Sequence, residues 1–358
     1  MAIPSRKRLV IHAGMHKTGS TSIQAALAKN KMRGVHVLKL IKPNHSLANV
    51  LLFEDKPETY FAFRKQGATA EDMAAQRHQL KRRLNRQLRR RAEETFVFSA
   101  ERISSAADKA IKRMHAKFEP IFSNLDVYAY VRAPDAFLAS MMQQSAKTGS
   151  DKFQLTWPQY RKRFERLDRI FGREHVNLRL FDKSRFHGGD VVSDFAQWTD
   201  LPLTNKMDMQ RNSSVSAAGF ALIACLRRNH VQEAKSKESA LREQQVVQAL
   251  RHLESVPFAL CPDLVAREIE KQADDLAWME DRLGEALPIG STSHSEDAVL
   301  ISSSDDLKCA AAQFSHLLTD ENLGAIPTDP DEADAFAWGH LHTFIKQLPS
   351  QQQTESQS

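Results

Sequence analysis

Arg8-Leu9-Val10-Ile11-His12-Ala13 is a mainly apolar run that empties into Gly14-Met15-His16-Lys17-Thr18-Gly19-Ser20-Thr21-Ser22, after which Ile23, Ala26 and Leu27 recur at helical spacing. Residues 8–13 read as a short buried strand, 14–21 as a turn of small residues, and 22–30 as the opening of a helix. That order suits phosphate. Amides at a helix start have no intrahelical partner, the helix dipole favours an anion there, and glycine lets the backbone approach it closely. A Walker A loop ends Gly-Lys-Ser/Thr, whereas here Lys17 precedes Gly19, so the loop departs from the NTPase pattern.

Outward from this loop the strand and helix periods alternate. Strands are expected at 35–40, 95–99, 126–131 and 176–181, and helices at 70–94, 105–116, 134–145, 156–171 and 190–198. Such alternation predicts an α/β fold: three layers, a mainly parallel sheet flanked by helices, P-loop-like at its first turn. From Ser216 to about Leu283 the pattern is helical, and no internal repeat is found. The expected organisation is an α/β nucleotide-binding core over 1–230, a helical extension packed on it over 231–287, and an acidic, partly mobile C-terminal segment over 288–358. Within that segment 288–305 reads as a linker and 347–358 as a disordered end.

Charge narrows the location of any binding chemistry. The net +6 of the 358 residues conceals 27 Lys/Arg against 12 Asp/Glu in 1–150, 17 against 12 in 151–250, and 6 against 20 in 251–358. The basic front attracts phosphates, sulfates or uronates, and the acidic end repels them, so the site is expected before about residue 215. Cys225, Cys261 and Cys309 stand far apart without a CxxC pair, which gives no support to a disulfide framework or a thiolate metal site. The basic N-terminus is not followed by an export-signal core, and no stretch reaches the roughly 20 apolar residues of a membrane span. A cytoplasmic protein with no metal is the expectation.

A second signal lies in Tyr128-Ala129-Tyr130-Val131-Arg132-Ala133-Pro134, with Ser140 eight residues beyond Arg132. Arginine at a strand end and serine one and a half turns into the next helix can converge on one phosphate, as a charged fork and a hydroxyl donor. Together, Lys-x-Gly-(Ser/Thr)-(Ser/Thr) after the first strand and this Arg-to-Ser spacing resemble the PAPS-dependent sulfotransferase family, particularly bacterial members with a His-Lys-Thr-Gly-Thr-Thr loop. Here the fifth of those positions is Ser20. Gly189-Asp190 with Phe195, and Arg211-Asn212-Ser213-Ser214-Val215-Ser216, are similar to later segments of the family, although the Arg-Lys-Gly signature of its cytosolic members is absent. The resemblance covers about residues 8–230. It implies transfer of the sulfo group of PAPS to an acceptor hydroxyl or amine, releasing adenosine 3′,5′-bisphosphate. It further implies that Lys17, Thr18, Gly19, Ser20, Thr21 and Ser22 hold the 5′-phosphosulfate end, and that Arg132, Ser140 and Arg211 hold the 3′-phosphate.

Transfer needs a base within reach of the acceptor proton. Glu101, at the carboxyl end of the 95–99 strand, is the first choice, set against its plain reading as a helix-start charge. His16 is the second, set against a ring packed behind the loop, and His12 reads as a core histidine. The run Lys81-Arg82-Arg83-Leu84-Asn85-Arg86-Gln87-Leu88-Arg89-Arg90-Arg91 reads first as a solvated helix face with leucines inward. It also offers a site for an anionic acceptor. Two rival functions stand: a P-loop-type kinase with Asp182 at a strand end, and a non-catalytic polyanion- or RNA-binding protein using the basic run. The latter lacks interleaved aromatic stacking partners. The acceptor and the oligomeric state are not written in the sequence.

Overall fold

A computed structural model describes residues 7–89, 94–150, 152–204, 215–229, 237–290, 297–319 and 321–348, with backbone alone at 237–240. The chain forms two compact units. The first comprises Met1–Ala133, Gln159–Gln210 and Asp274–Leu287; the second comprises Pro134–Pro158, Arg211–Ala273 and Pro288–Ser358.

The first unit is built on a five-stranded sheet of β1 (Arg8–His12), β2 (Val35–Val37), β3 (Thr95–Ser99), β4 (Asn124–Val131) and β5 (Val176–Leu180), in the order β2-β3-β1-β4-β5. Every pairing is parallel, with Ile11 of β1 beside Phe98 of β3 and Val127 of β4. Central strands of a parallel sheet are covered on both faces and therefore read as continuous apolar runs. One face carries Val10, Val97, Tyr128 and Tyr130 against Ile23, Ala26 and Leu27 of helix Ser20–Lys29 and Val192, Phe195 and Ala196 of helix Val191–Thr199. The opposite face carries Phe96 and Phe98, whose rings meet Phe122 and Phe118, with Phe53 of helix Ser46–Phe53 beyond. The three-layer α/β expectation is met.

This topology singles out one point on the sheet's carboxyl edge. From β1 the chain crosses to β2 and returns to β3, on one side of β1, whereas from β4 it continues to β5 on the other side. Between the ends of β1 and β4 the connections diverge, which is where open α/β sheets bind ligands.

In the second unit, helix Ala217–Asn229 has its first ten residues buried all round, as expected of a helix enclosed by others. Helices Pro134–Thr148, Lys237–Arg251, Ser304–Gln313 and Pro330–Gln347 surround it. A Cβ at Gly219 would stand 2.5 Å from the Leu250 carbonyl oxygen, so the small residue sets how closely two helices approach. Phe258–Leu260 and Val299–Ile301 pair in parallel, inside stretches expected to be helical and linker respectively. Each is three residues long, too short for an alternating pattern to register. Helix Ser46–Phe53 is a further addition. It is apolar almost throughout, and such a run does not declare its period.

Other boundaries differ locally. Helix Ala70–Leu88 opens on a capping box between Thr69 and Asp72 and ends before the expected 94. Leu80, Leu84 and Leu88 are buried while Lys81, Arg82, Arg83, Arg86 and Arg89 face solvent, as the amphipathic reading requires; Arg90 and Arg91 lie outside the described residues. The helix expected at 105–116 is instead a tight turn at Glu101–Ser105 followed by helix Asp108–Phe118. The helix expected from 156 starts at Tyr160, behind Pro158. No helix among the described residues is long and apolar enough to cross a membrane.

Candidate functional site

The loop after β1 is stitched into both neighbouring strands. The Ala13 amide donates to the Tyr128 carbonyl (2.9 Å), the Tyr130 amide to the Gly14 carbonyl (2.9 Å), and the Met15 amide back to the Tyr130 carbonyl (3.2 Å). On the other side the Ala100 amide donates to His12 (2.9 Å) and the Ser104 amide to Ala13 (3.3 Å). Gly14 has φ +96°, and a Cβ there would meet the Glu101 carbonyl oxygen at 3.1 Å and its Cα at 3.2 Å. Only glycine fits that approach. Lys17, at φ +67°, is a non-glycine residue in the left-handed region, a strain that clusters at ligand sites.

Helix Ser20–Lys29 starts at Gly19, which supplies no side-chain cap. Among the described residues, the amides of His16, Thr18, Gly19, Ser20 and Thr21 donate to no backbone carbonyl. Successive open amides around a left-handed residue form a concave anion nest. The Thr18 and Ser20 hydroxyls both turn to the Met15 carbonyl, at 2.7 and 3.4 Å, and both residues are buried. Those two O–H groups shape the loop itself, which leaves the exposed Thr21 hydroxyl and that of the half-buried Ser22 on its open side.

Arg132 follows β4 directly. Its guanidinium donates to the Lys17 carbonyl (2.5 Å) and lies 5.9 Å from the Phe181 ring centre, while its own carbonyl accepts the Tyr160 hydroxyl at 2.6 Å. Lys17 and Arg132, far apart in sequence, are therefore brought together. Ser140 lies on helix Pro134–Thr148, which belongs to the second unit. Arg211 lies outside the described residues.

Glu101 opens the turn after β3 with its backbone against Gly14. Burial raises its carboxyl above the ordinary carboxylate range, and the charge of Lys17 works against that rise. His16 is pushed down to about 4, by burial first and then by the positive charges of Arg163, Arg102 and Lys17. It is therefore a neutral ring at pH 7. His12 is buried and lowered to about 3 by desolvation; its Nδ1 pairs with Ser99 Oγ at 2.8 Å, and its ring packs on Phe195 at 5.1 Å. It is a core histidine with one ring nitrogen satisfied, since Nε2 finds no partner among the described residues.

Arg102, Arg163 and Tyr60 were missed in the sequence. Arg163 sits in Arg161-Lys162-Arg163, which reads as a solvated run, yet it is half-buried where its two neighbours are exposed. Burial and the neighbouring Arg166 lower it to about 10, so it stays cationic at neutral pH. Arg166 donates to the carbonyls of Ser104 (3.0 Å) and Ala106 (2.6 Å) and so fixes the turn that carries Glu101 and Arg102. Adjacency to Glu101 was a signal for Arg102; Tyr60 had none.

Other sequence candidates have structural roles. Asp182 accepts from the Ser184 amide (2.9 Å) and hydroxyl (2.7 Å) as the cap of a short turn. Asp190 caps helix Val191–Thr199 through the amides of Val192 and Ser193. Among the described residues no group of three or more His, Cys, Asp or Glu is arranged to hold a metal ion. The three cysteines are free, and burial pushes Cys225 up to about 12.

Fold and loop together define an α/β protein whose P-loop-like turn, with its run of open amides, lies at the divergence point of a parallel sheet. Among solved structures the chain is similar to a crystal structure of a sulfotransferase from Alicyclobacillus acidocaldarius, with 15% sequence identity and a TM-score of 0.39, over 80% of this chain and 98% of that one. No family model matches the chain, and no curated protein matches it.

Proposed function

We propose that this protein is a PAPS-dependent sulfotransferase acting on an acceptor hydroxyl or amine and releasing adenosine 3′,5′-bisphosphate. The observation that carries the reading is the open amide nest around Lys17, whose carbonyl is held by Arg132. The donor's chemistry fits the residues present. Uncapped amides and Lys17 suit the 5′-phosphosulfate end, and Gly14 and Gly19 let the loop backbone pack closely against Glu101 and Val191, where a Cβ would clash. Arg132 suits the 3′-phosphate as a planar fork. Its partnership with Ser140 rests on sequence spacing, and a role for Arg211 on resemblance.

When bound, PAPS supplies the sulfo group together with a phosphate leaving group. Lys17 would set its ammonium against the negative charge that grows on the leaving phosphate, and the amides of His16, Thr18, Gly19, Ser20 and Thr21 would hold the phosphate oxygens. Glu101 accepts the acceptor proton: its raised carboxyl loses its own proton later than a surface carboxylate, which makes it a stronger base once ionised. Neutral His16 orients within the loop and is the second candidate for that proton. Arg102 and Arg163 add positive potential beside His16.

Titration calorimetry with adenosine 3′,5′-bisphosphate tests the reading, with binding expected in the wild type. Lys17→Ala is expected to abolish sulfo transfer from labelled PAPS. A fully active Lys17→Ala protein, or tighter binding of magnesium-ATP than of the bisphosphate, would overturn it.

A further inference from the structure

Tyr60, Phe61 and Arg102 form a cluster beside the reacting groups. The Arg102 guanidinium lies over the Tyr60 ring, 4.7 Å from its centre, and the Arg102 amide donates to Ser46 Oγ at 3.2 Å. Arg102 Nε is buried and has no hydrogen-bond partner among the described residues. Tyr60 meets Phe61 edge-on at 4.6 Å, and Phe61 as a residue is 62% exposed. Charge links this group to the loop: Tyr60 senses both Arg102 and Glu101, Glu101 senses Lys17, and His16 senses Arg102.

A guanidinium lying over an aromatic ring still has in-plane N–H groups with which to grip a carboxylate or sulfate. A buried N–H without a partner is costly to hold, and an anionic ligand group relieves that cost. An outward-facing phenyl ring is a platform rather than an enclosing pocket. It suits the C–H face of a sugar better than a small phenol, which needs to be surrounded.

On the sulfotransferase reading of the site, we propose that Tyr60, Phe61 and Arg102 form the acceptor subsite and select an anionic sugar. Arg102 reads the ring's carboxylate or sulfate, and Phe61 lies along the sugar face. The proton removed from the sugar hydroxyl passes to Glu101, the sulfo group joins the resulting oxygen, and the bisphosphate leaves with the electrons of the broken S–O bond.

The test uses the full chain with PAPS and three acceptors: a uronate-containing disaccharide, its carboxyl-reduced counterpart and p-nitrophenol. Disaccharide binding is measured separately by calorimetry in the presence of adenosine 3′,5′-bisphosphate. The uronate is expected to exceed the reduced sugar by about tenfold or more in both kcat/KM and affinity, as one charge-assisted contact implies. Arg102→Gln is expected to bring that ratio within about twofold, read as a ratio so that any change common to both acceptors cancels, and Arg102→Lys to restore part of it. Equal use of the two sugars by the wild type, preference for p-nitrophenol, or an unchanged ratio in Arg102→Gln overturns the acceptor assignment and leaves the nucleotide site standing. Loss of bisphosphate binding in the wild type removes the underlying reading and this proposal with it.

Discussion

Acid should unfold the first unit, and the size of the effect follows from three histidines. His12, His16 and His45 are held neutral by burial, at about 3, about 4 and about 4 against an ordinary 6.5. At pH 5 each ring is charged in the unfolded chain and neutral in the folded one. The stability they allow is fully present above pH 6.5 and falls as pH drops from 6.5 towards 4, because the unfolded state binds more protons across that window. Between pH 7.5 and pH 5.0 each contributes a loss of about 2 kcal/mol, or about 6 kcal/mol together, which is comparable with the whole stability of many domains. Glu101 acts in the opposite sense, since its raised carboxyl takes up a proton sooner in the folded state and returns part of the loss. Hydrogen exchange of peptides spanning Arg8–His12 and Thr95–Ser99, corrected for intrinsic rate, reads this unit's opening free energy directly. His16→Gln should flatten the pH slope by about one proton. Equal protection at pH 7.5 and 5.0, within 1 kcal/mol, would show that the three rings are not neutral in the folded state and refute the argument.

Gly14→Ala places a Cβ 3.1 Å from a backbone oxygen at φ +96°, so it should cost about 2–4 kcal/mol and weaken bisphosphate binding, measured by thermal shift with and without ligand. Glu101→Gln should lower kcat by about 100-fold with bisphosphate affinity unchanged. In the wild type, activity should rise with pH through the raised Glu101 titration, and a Glu101→Gln enzyme that keeps this acid limb or its full turnover excludes Glu101 as the base. Arg132→Ala should weaken bisphosphate binding by about tenfold or more through loss of a charged fork and of its bond to the Lys17 carbonyl; calorimetry showing wild-type affinity rejects that role.

The parallel sheet was legible because buried parallel strands advertise themselves as unbroken apolar runs: residues 95–99 were bounded as observed, and β1, β4 and β5 to within two residues. Phe258–Leu260 and Val299–Ile301 were not legible, since three residues cannot display a period and the paired residues stand 41 positions apart. The loop was recognisable through Lys17, Gly19 and the hydroxyl residues, whereas the inward turn of the Thr18 hydroxyl depends on a carbonyl placed by the left-handed backbone. Arg163 was hidden for the opposite reason. Its neighbours Arg161 and Lys162 are exposed, and charge in a run says nothing of which member the helix turns inward.

The backbone bonds that tie residues 13–15 to both flanking strands leave the loop little to rearrange on binding the proposed nucleotide. A receptor already in its final shape freezes few additional motions on binding, so ligand-free and ligand-bound crystals should superpose along this stretch. The aromatic platform at Tyr60 and Phe61 belongs to a different segment. On the proposed reading, substitutions at that surface should change which acceptor is used and leave the inner frame as it is.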